Sequence, residues 1–335
     1  MGAQAGRAVS ATDELIRPRS RRERLKRRKS ARRRGLAVLV AIPALVAGGL
    51  GVYLGASGQK PRSTVTAEAG EVALVISGRE VATIPLDRAS RVSSGRGDLP
   101  VEPVRKVADG PLTQTLAVDT ELLRDRLAAA PAEGGAVEVP ERVVASRIRL
   151  PIVQQAYRNN CETAALSMLL AAAGVERDQT ELQEKITKAR PLDPTTNAAG
   201  ETVWGDPAAG YVGRVNGGGP GGGFGAYEGP VAALASRWAD PVDLSGRKPG
   251  AVYRRLLEGR PVMTWIGLSD GPYETWTSPG GAEVTINFGE HTVVLTGVKG
   301  DRVFVNDPID GVRKVWTKAE FEAKWDLLDR RAISL

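Results

Sequence analysis

One thiol, one imidazole and one well-placed carboxylate are the groups in this chain best suited to chemistry. Cys161 is the only cysteine and His291 the only histidine among 335 residues. From Glu162 to Ala173 the sequence is rich in Ala, Leu and Met, strong helix formers, and Gly174 supplies a stop, so Cys161 is expected in the first turn of an apolar helix. The pair Asn159 and Asn160 suits the cap. Unpaired backbone N–H groups and the positive end of the helix dipole favour thiolate there, which makes Cys161 a possible nucleophile. Taken alone it reads first as a small buried hydrophobe, and its context has to overturn that.

His291 opens GEHTVVLTGV, whose β-branched run predicts a strand, and RVFVNDPIDG predicts a second strand ending at Asn306 and Asp307. The turn at Lys299-Gly300-Asp301 is short, so the two strands should pair antiparallel, and the start of one should lie beside the end of the other. His291 is thereby expected near Asn306 and Asp307. Cysteine nucleophiles need a base and a group that fixes the imidazole tautomer, and Cys161, His291 and Asp307 supply one of each. Individually, His291 could be an ordinary satisfied histidine and Asp307 an ordinary turn residue before Pro308.

QAYRNNCETAALSMLLAAAG, GEHTVVLTGV and VNDPIDG resemble, in that order, the nucleophile, His and Asp motifs of the C39-like, papain-type cysteine peptidase family, particularly its extracytoplasmic single-domain branch. WGDPAAGYVG, FGAYEGPVAALA and FEAKWDLL resemble the same branch, so the likeness spans about residues 146–335. The resemblance implies an α+β papain-like fold, with a helical half that carries the nucleophile and an antiparallel sheet that carries the base. It makes Cys161 the nucleophile, His291 the base, Asp307 the orienter and Gln155 the oxyanion-hole donor. A side-chain N–H from Gln155, with the backbone N–H of Cys161, could hold a tetrahedral oxyanion, a contribution of about 3–4 kcal/mol in enzymes that use it. The neighbouring Gln154 is an alternative. Trp204 and Tyr211, in the loop that this branch keeps near its cleft, are expected to shape a substrate subsite; ordinary packing is the other reading.

The rest of the chain must deliver this group somewhere. The net charge of +7 is local: residues 1–34 hold thirteen Lys and Arg against three acids, leaving 33 basic and 36 acidic side chains in the remainder. Residues 36–56 are uncharged and apolar, long enough to cross a hydrocarbon core of about 30 Å. A basic cluster just before such a segment holds it cytoplasmic-side. The sequence thus predicts a basic cytoplasmic tail (1–35), a single-pass signal anchor (36–56) and an extracytoplasmic remainder; secretion after cleavage of a signal peptide near Ala56 is the alternative. This placement argues against a nucleic-acid role for the basic tail.

Residues 57–145 predict a small α+β stalk, with strands near 71–76 and 80–85, a linker at RASRVSSGRGDLP and a helix over 118–130. In the domain at 146–335, helices are expected near 178–189, 228–238, 249–258 and 317–328, and strands from 261 to 316 with one more closing the chain. The glycine-rich stretch within 190–225 reads as a flexible surface loop, since neither Lys-Ser/Thr nor a strand-to-helix frame marks it as a phosphate cradle. A lone Cys forms no internal disulfide, and one Cys with one His makes no zinc site of the usual kinds. No metal or organic cofactor is expected. The expected function is a membrane-anchored cysteine peptidase or related thiol amidohydrolase acting on a peptide or cell-envelope substrate; a non-catalytic envelope-binding module on the same fold is the alternative.

Overall fold

The computed structural model describes residues 70–218 and 221–335, which belong to one compact unit. The expected tail, the anchor at 36–56 and the start of the stalk lie outside the described residues. Among the described residues no helix is long and apolar enough to cross a membrane.

Strands β1 (Glu71–Ile76) and β2 (Arg79–Pro85) form a hairpin through Ser77 and Gly78, both at positive φ. Helix α1 (Leu86–Ser93) follows directly, where a linker was expected. The Arg- and Ser-rich composition concealed a helical face: Ala89 and Val92, three apart, are buried, and Asp87 pairs with Arg91 on the exposed side. Next come β3 (Val104–Asp109), β4 (Leu112–Val118), α2 (Thr120–Ala128), β5 (Gly135–Val139) and β6 (Glu141–Ile148). The Asp119 side chain caps α2 by accepting from the Leu122 N–H. β5 pairs parallel with β1, so β2-β1-β5 make a small sheet whose core joins Val72, Leu74 and Ile84 to Val92, Leu123 and Leu127 of the two helices.

The remaining elements are α3 (Cys161–Ala172), α4 (Gln179–Lys185), β7 (Thr195–Thr196), β8 (Thr202–Val203), β9 (Val212–Gly213), β10 (Gly223–Gly225), α5 (Glu228–Ala235) and β11 (Val242–Asp243). After these come α6 (Pro249–Leu257), β12 (Val262–Gly267), β13 (Tyr273–Thr277), β14 (Glu283–Asn287), β15 (Glu290–Lys299), β16 (Arg302–Asp307), β17 (Val312–Thr317), α7 (Lys318–Asp326) and β18 (Ala332–Ser334). A nine-stranded sheet runs β11-β18-β12-β15-β6-β4-β3, with β16 on the other edge of β15 and β17 beyond it.

The expected boundary at 145/146 falls inside β6. The hairpin β3-β4 joins the large sheet through β6, so only β1, β2, β5, α1 and α2 form a separate layer. β15 makes the junction possible by changing partner along one edge: residues 290–295 pair with β12 and 297–299 with β6. Gly297 sits at the changeover with φ +159, and a Cβ there would lie 2.3 Å from the Ser146 carbonyl oxygen, so only glycine admits β6 this closely.

The two faces of the sheet carry separate cores. Val293, Leu295, Val303 and Val305 pack under α6 and α7 with Leu256, Phe321 and Trp325. On the opposite face Met263, Trp265 and Val294 meet α3, whose Leu166, Met168, Leu169 and Leu170 are fully buried. Each of those side chains contributes roughly 1.5–3 kcal/mol through burial, so the cysteine helix is fixed by its own packing.

Candidate functional site

Three pieces of chain meet around the first turn of α3. The turn before it, 155–160, is built by hydrogen bonds to itself: the Tyr157 N–H donates to Asn160 Oδ1 at 2.8 Å, and Gln155 Nε2 donates to the carbonyls of Tyr157 (2.9 Å) and Arg158 (2.8 Å). Asn160 occupies the cap position, yet its side chain bonds no helix N–H; its oxygen serves Tyr157 and its Nδ2 reaches Gln179 at 2.8 Å. The expected cap thus works as a brace for the turn.

The glycine-rich stretch forms the second piece and is not simply a flexible surface loop. The Asn159 N–H donates to the Val215 carbonyl at 2.9 Å, and Asn159 Nδ2 donates to the Gly217 carbonyl at 2.7 Å. Gly225 is buried beside the Glu162 carboxylate, where a Cβ would fall 2.0 Å from Oε1. Its glycines are there for close approach of backbone to the nucleophile helix.

The third piece is the β15-β16 hairpin. His291 Nε2 lies 2.7 Å from Asp307 Oδ1, both residues being buried. Lys314 Nζ donates to the other oxygen of Asp307 at 2.8 Å, and the Ile309 N–H donates to Oδ1 at 3.0 Å. Burial would raise the Asp307 pKa, but His291, Lys314 and the Ile309 N–H outweigh it and hold the carboxyl down to about 2. A depressed pKa of this kind contributes stability above the ordinary carboxylate pKa, which is lost as pH falls through about 2. The carboxylate loop is also stitched to the nucleophile turn: the Gln155 N–H donates to the Pro308 carbonyl at 2.8 Å, and Asn306 Nδ2 donates to the Pro151 carbonyl at 3.1 Å.

Hairpin pairing therefore brings His291 and Asp307 together. The sulfur of Cys161 is placed differently. Its thiol lies 3.5 Å from Glu162 Oε2, the Thr292 N–H and hydroxyl face it, and no hydrogen bond joins it to His291 among the described residues. Strand alternation explains this. Thr292 and Glu290 share the face of Val294, which packs on α3, whereas His291 leaves the strand on the side of Val293.

The resting electrostatics follow from the same packing. Burial pushes the Cys161 thiol well above its ordinary pKa, the charges of Glu162 and Glu290 push it further, and Thr292 opposes them. Burial raises Glu162 to about 7 although the Ala226 N–H donates to its Oε1 at 2.6 Å. Glu290 is pushed up by burial and by Glu162, against a hydrogen bond from Thr292. The thiol is neutral in this arrangement. Cys161, Glu162 and Glu290 place one ligand atom each within 4.8 Å of one another. No His joins them, and a cation would have to displace their protons.

Sequence reasoning missed Glu162, Glu290, Thr292 and Lys314. Glu162 and Glu290 carried a signal, a charged residue at an otherwise apolar helix start and another at the head of an apolar strand, whereas Thr292 and Lys314 carried none. Gln155, expected as an oxyanion donor, spends both N–H bonds on the turn. Its Oε1 is buried without a partner, and turning the amide over would set that oxygen against two carbonyls. Gln154 holds α4 through its carbonyl, which accepts from Gln179 Nε2 at 2.8 Å. Trp204 is 1 % exposed, donates Nε1 to the Leu192 carbonyl and packs 5.0 Å from the Trp276 ring, so it is core and not an open subsite. Tyr211 is also buried, its hydroxyl bonded to the Asn159 carbonyl.

The family's sequence profile, described as the Peptidase_C39 like family, matches residues 147–333. This chain belongs to the peptidase C39-like family. Among relatives of the C39-like chain, the uncharacterized protein YvpB of Bacillus subtilis (strain 168) is 32 % identical over 180 residues, covering 52 % of this chain and 68 % of YvpB. A crystal structure of a candidate C39-like peptidase from Bacillus anthracis is 30 % identical with a TM-score of 0.48, covering 55 % of this chain and 92 % of the other. The C39-like match begins within β6, which agrees with the place of that strand in the large sheet. It leaves β1 to β5 outside.

Proposed function

We propose that this C39-like chain is a cysteine peptidase or related thiol amidohydrolase, anchored to a membrane by residues 36–56 with its folded part extracytoplasmic. The observation that carries the reading is the buried His291–Asp307 pair, 2.7 Å apart and bound through Pro308 to the turn that presents Cys161. With Nε2 committed to Asp307, the imidazole has Nδ1 left for a thiol, and Asp307 fixes that tautomer.

In the proposed reaction, the Cys161 sulfur leaves Glu162 and passes its proton to Nδ1 of His291, a step that requires the start of β15 or the nucleophile turn to shift, because His291 leaves the strand on the face away from α3. The thiolate attacks a peptide carbonyl, the N–H groups at the head of α3 stabilise the oxyanion, and His291 returns the proton to the leaving amine. Water then hydrolyses the acyl-enzyme with His291 as base. Gln155 acts in this reading by holding the turn, a positioning role that replaces the oxyanion role expected of it.

The rate of iodoacetamide alkylation against pH tests the thiol–imidazole step. His291→Ala is expected to slow alkylation near neutral pH by about tenfold or more. Identical profiles for the parent and the variant, both rising only at high pH, would refute the pairing. Orientation is checked separately: trypsin added to intact cells is expected to digest residues 70–335, and protection until lysis would place them on the wrong side.

A second reading, a binding module without catalysis, draws support from the neutral thiol and the missing Sγ–imidazole bond. It shares the fold and the envelope location.

A further inference from the structure

A cavity of about 320 Å³ opens behind the nucleophile turn, lined by Tyr157 of that turn, by Thr180, Gln183, Glu184 and Lys188 of α4 and the segment after it, and by Arg190, Leu192, Tyr211, Arg214 and Val215. It shares a wall with the site, because Tyr211 both lines it and bonds the Asn159 carbonyl. We propose that this cavity is a subsite for a singly charged carboxylate on the bound peptide, either an acidic side chain or the terminal carboxylate.

The charge of the lining argues for that class. Lys188, Arg190 and Arg214 face Glu184, and Arg214 is already held by Asp193 at 2.9 and 2.6 Å. With Glu162, which also acts on Lys188, in its protonated form, three cations against two carboxylates leave one positive charge, which one carboxylate neutralises and a phosphate dianion would exceed. Arg190 has no ion pair among the described residues. Lys188 is half-buried; its Nζ donates to the Gln183 carbonyl at 2.5 Å and sits 4.6 Å over the Tyr211 ring, leaving two further N–H bonds.

A second observation is independent of charge. Leu192, Val215 and the tyrosine rings give the methylene stem of an acidic residue an apolar wall. The volume is at the small end for ligand sites and fits one residue, not a long segment.

The subsite rests on the peptide-binding reading, but its test does not require turnover. Binding is measured by calorimetry on the full chain carrying Cys161→Ala. The probes are blocked tetrapeptides with Glu or Gln at each position in turn, each with a free or an amidated C-terminus. At one position the Glu peptide is expected to bind at least tenfold tighter than its Gln counterpart, or the free acid tighter than the amide; the first assigns a side chain and the second a chain end. Arg190→Gln and Lys188→Met are each expected to reduce that preference by about tenfold, read as the ratio of acidic-peptide to neutral-peptide affinity within each variant. Because Lys188 also braces the loop, the exposed Arg190 provides the variant that keeps the fold. Equal affinity of acidic and neutral peptides throughout, or a preference that survives Arg190→Gln, would overturn the subsite. Loss of turnover alone in the parent would bear on the proposed peptidase activity instead.

Discussion

Cys161→Ser is expected to lower peptide turnover by about a thousandfold or more while leaving the fold and peptide binding intact. The sulfur is buried at the head of α3, so an oxygen in its place fits without a clash and loses only a small amount of packing. What is lost is chemistry: a serine hydroxyl is far harder to ionise than a thiol, and the helix end and His291 were suited to a thiolate. Turnover and binding measured on one preparation separate the two readings of this C39-like chain. An enzyme loses the first and keeps the second. If the parent protein binds peptides without cleaving them, and the substitution alters no phenotype, the binding-module reading stands and the triad is a structural remnant.

The elements that were legible in the sequence are those with one strong periodic signal. The apolar helix after Cys161 and the paired strands after His291 and before Asp307 lie as their patterns implied, because each is fully committed to one core. Segments that serve two neighbours were harder. Residues 86–93 bury only Ala89 and Val92, too little apolar signal to stand out among Arg and Ser. β6 contributes to a sheet whose partners lie far along the chain, so nothing local marked Glu141–Ile148 as one of its strands. The glycine-rich stretch looked free because glycine offers no hydrophobic signal, yet its value lies in letting backbone reach Asn159 and Glu162. The site itself was half visible. Residue types predicted the His291–Asp307 pair through hairpin logic. The face from which each side chain leaves β15 depends on where the strand begins, and a single residue of register decides whether Cys161 meets His291 or Thr292.

That register gives Glu162 its importance. Glu162→Gln is expected to stabilise the protein above pH 7 and to speed alkylation of Cys161 there. The sign follows from its raised pKa. Below about 4.5 the carboxyl is protonated in both folded and unfolded chains, and its contribution to stability is fully present. Between about 4.5 and 7 the unfolded chain gives up the proton while the folded one keeps it, so stability falls as pH rises, and above about 7 the loss is complete. A shift of that size corresponds to roughly 3–4 kcal/mol, an upper figure because Glu290 and Lys188 share the site. Glutamine imitates the protonated acid: its oxygen can keep the bond from the Ala226 N–H, and no charge opposes the thiolate 3.5 Å away. Denaturation midpoints at pH 5 and pH 8 should therefore differ less in the variant than in the parent, and its alkylation rate at pH 8 should rise by about tenfold. A variant with the parent's pH slope and slower alkylation would mean that Glu162 works in the opposite sense, ionised in the resting protein and needed to activate the sulfur.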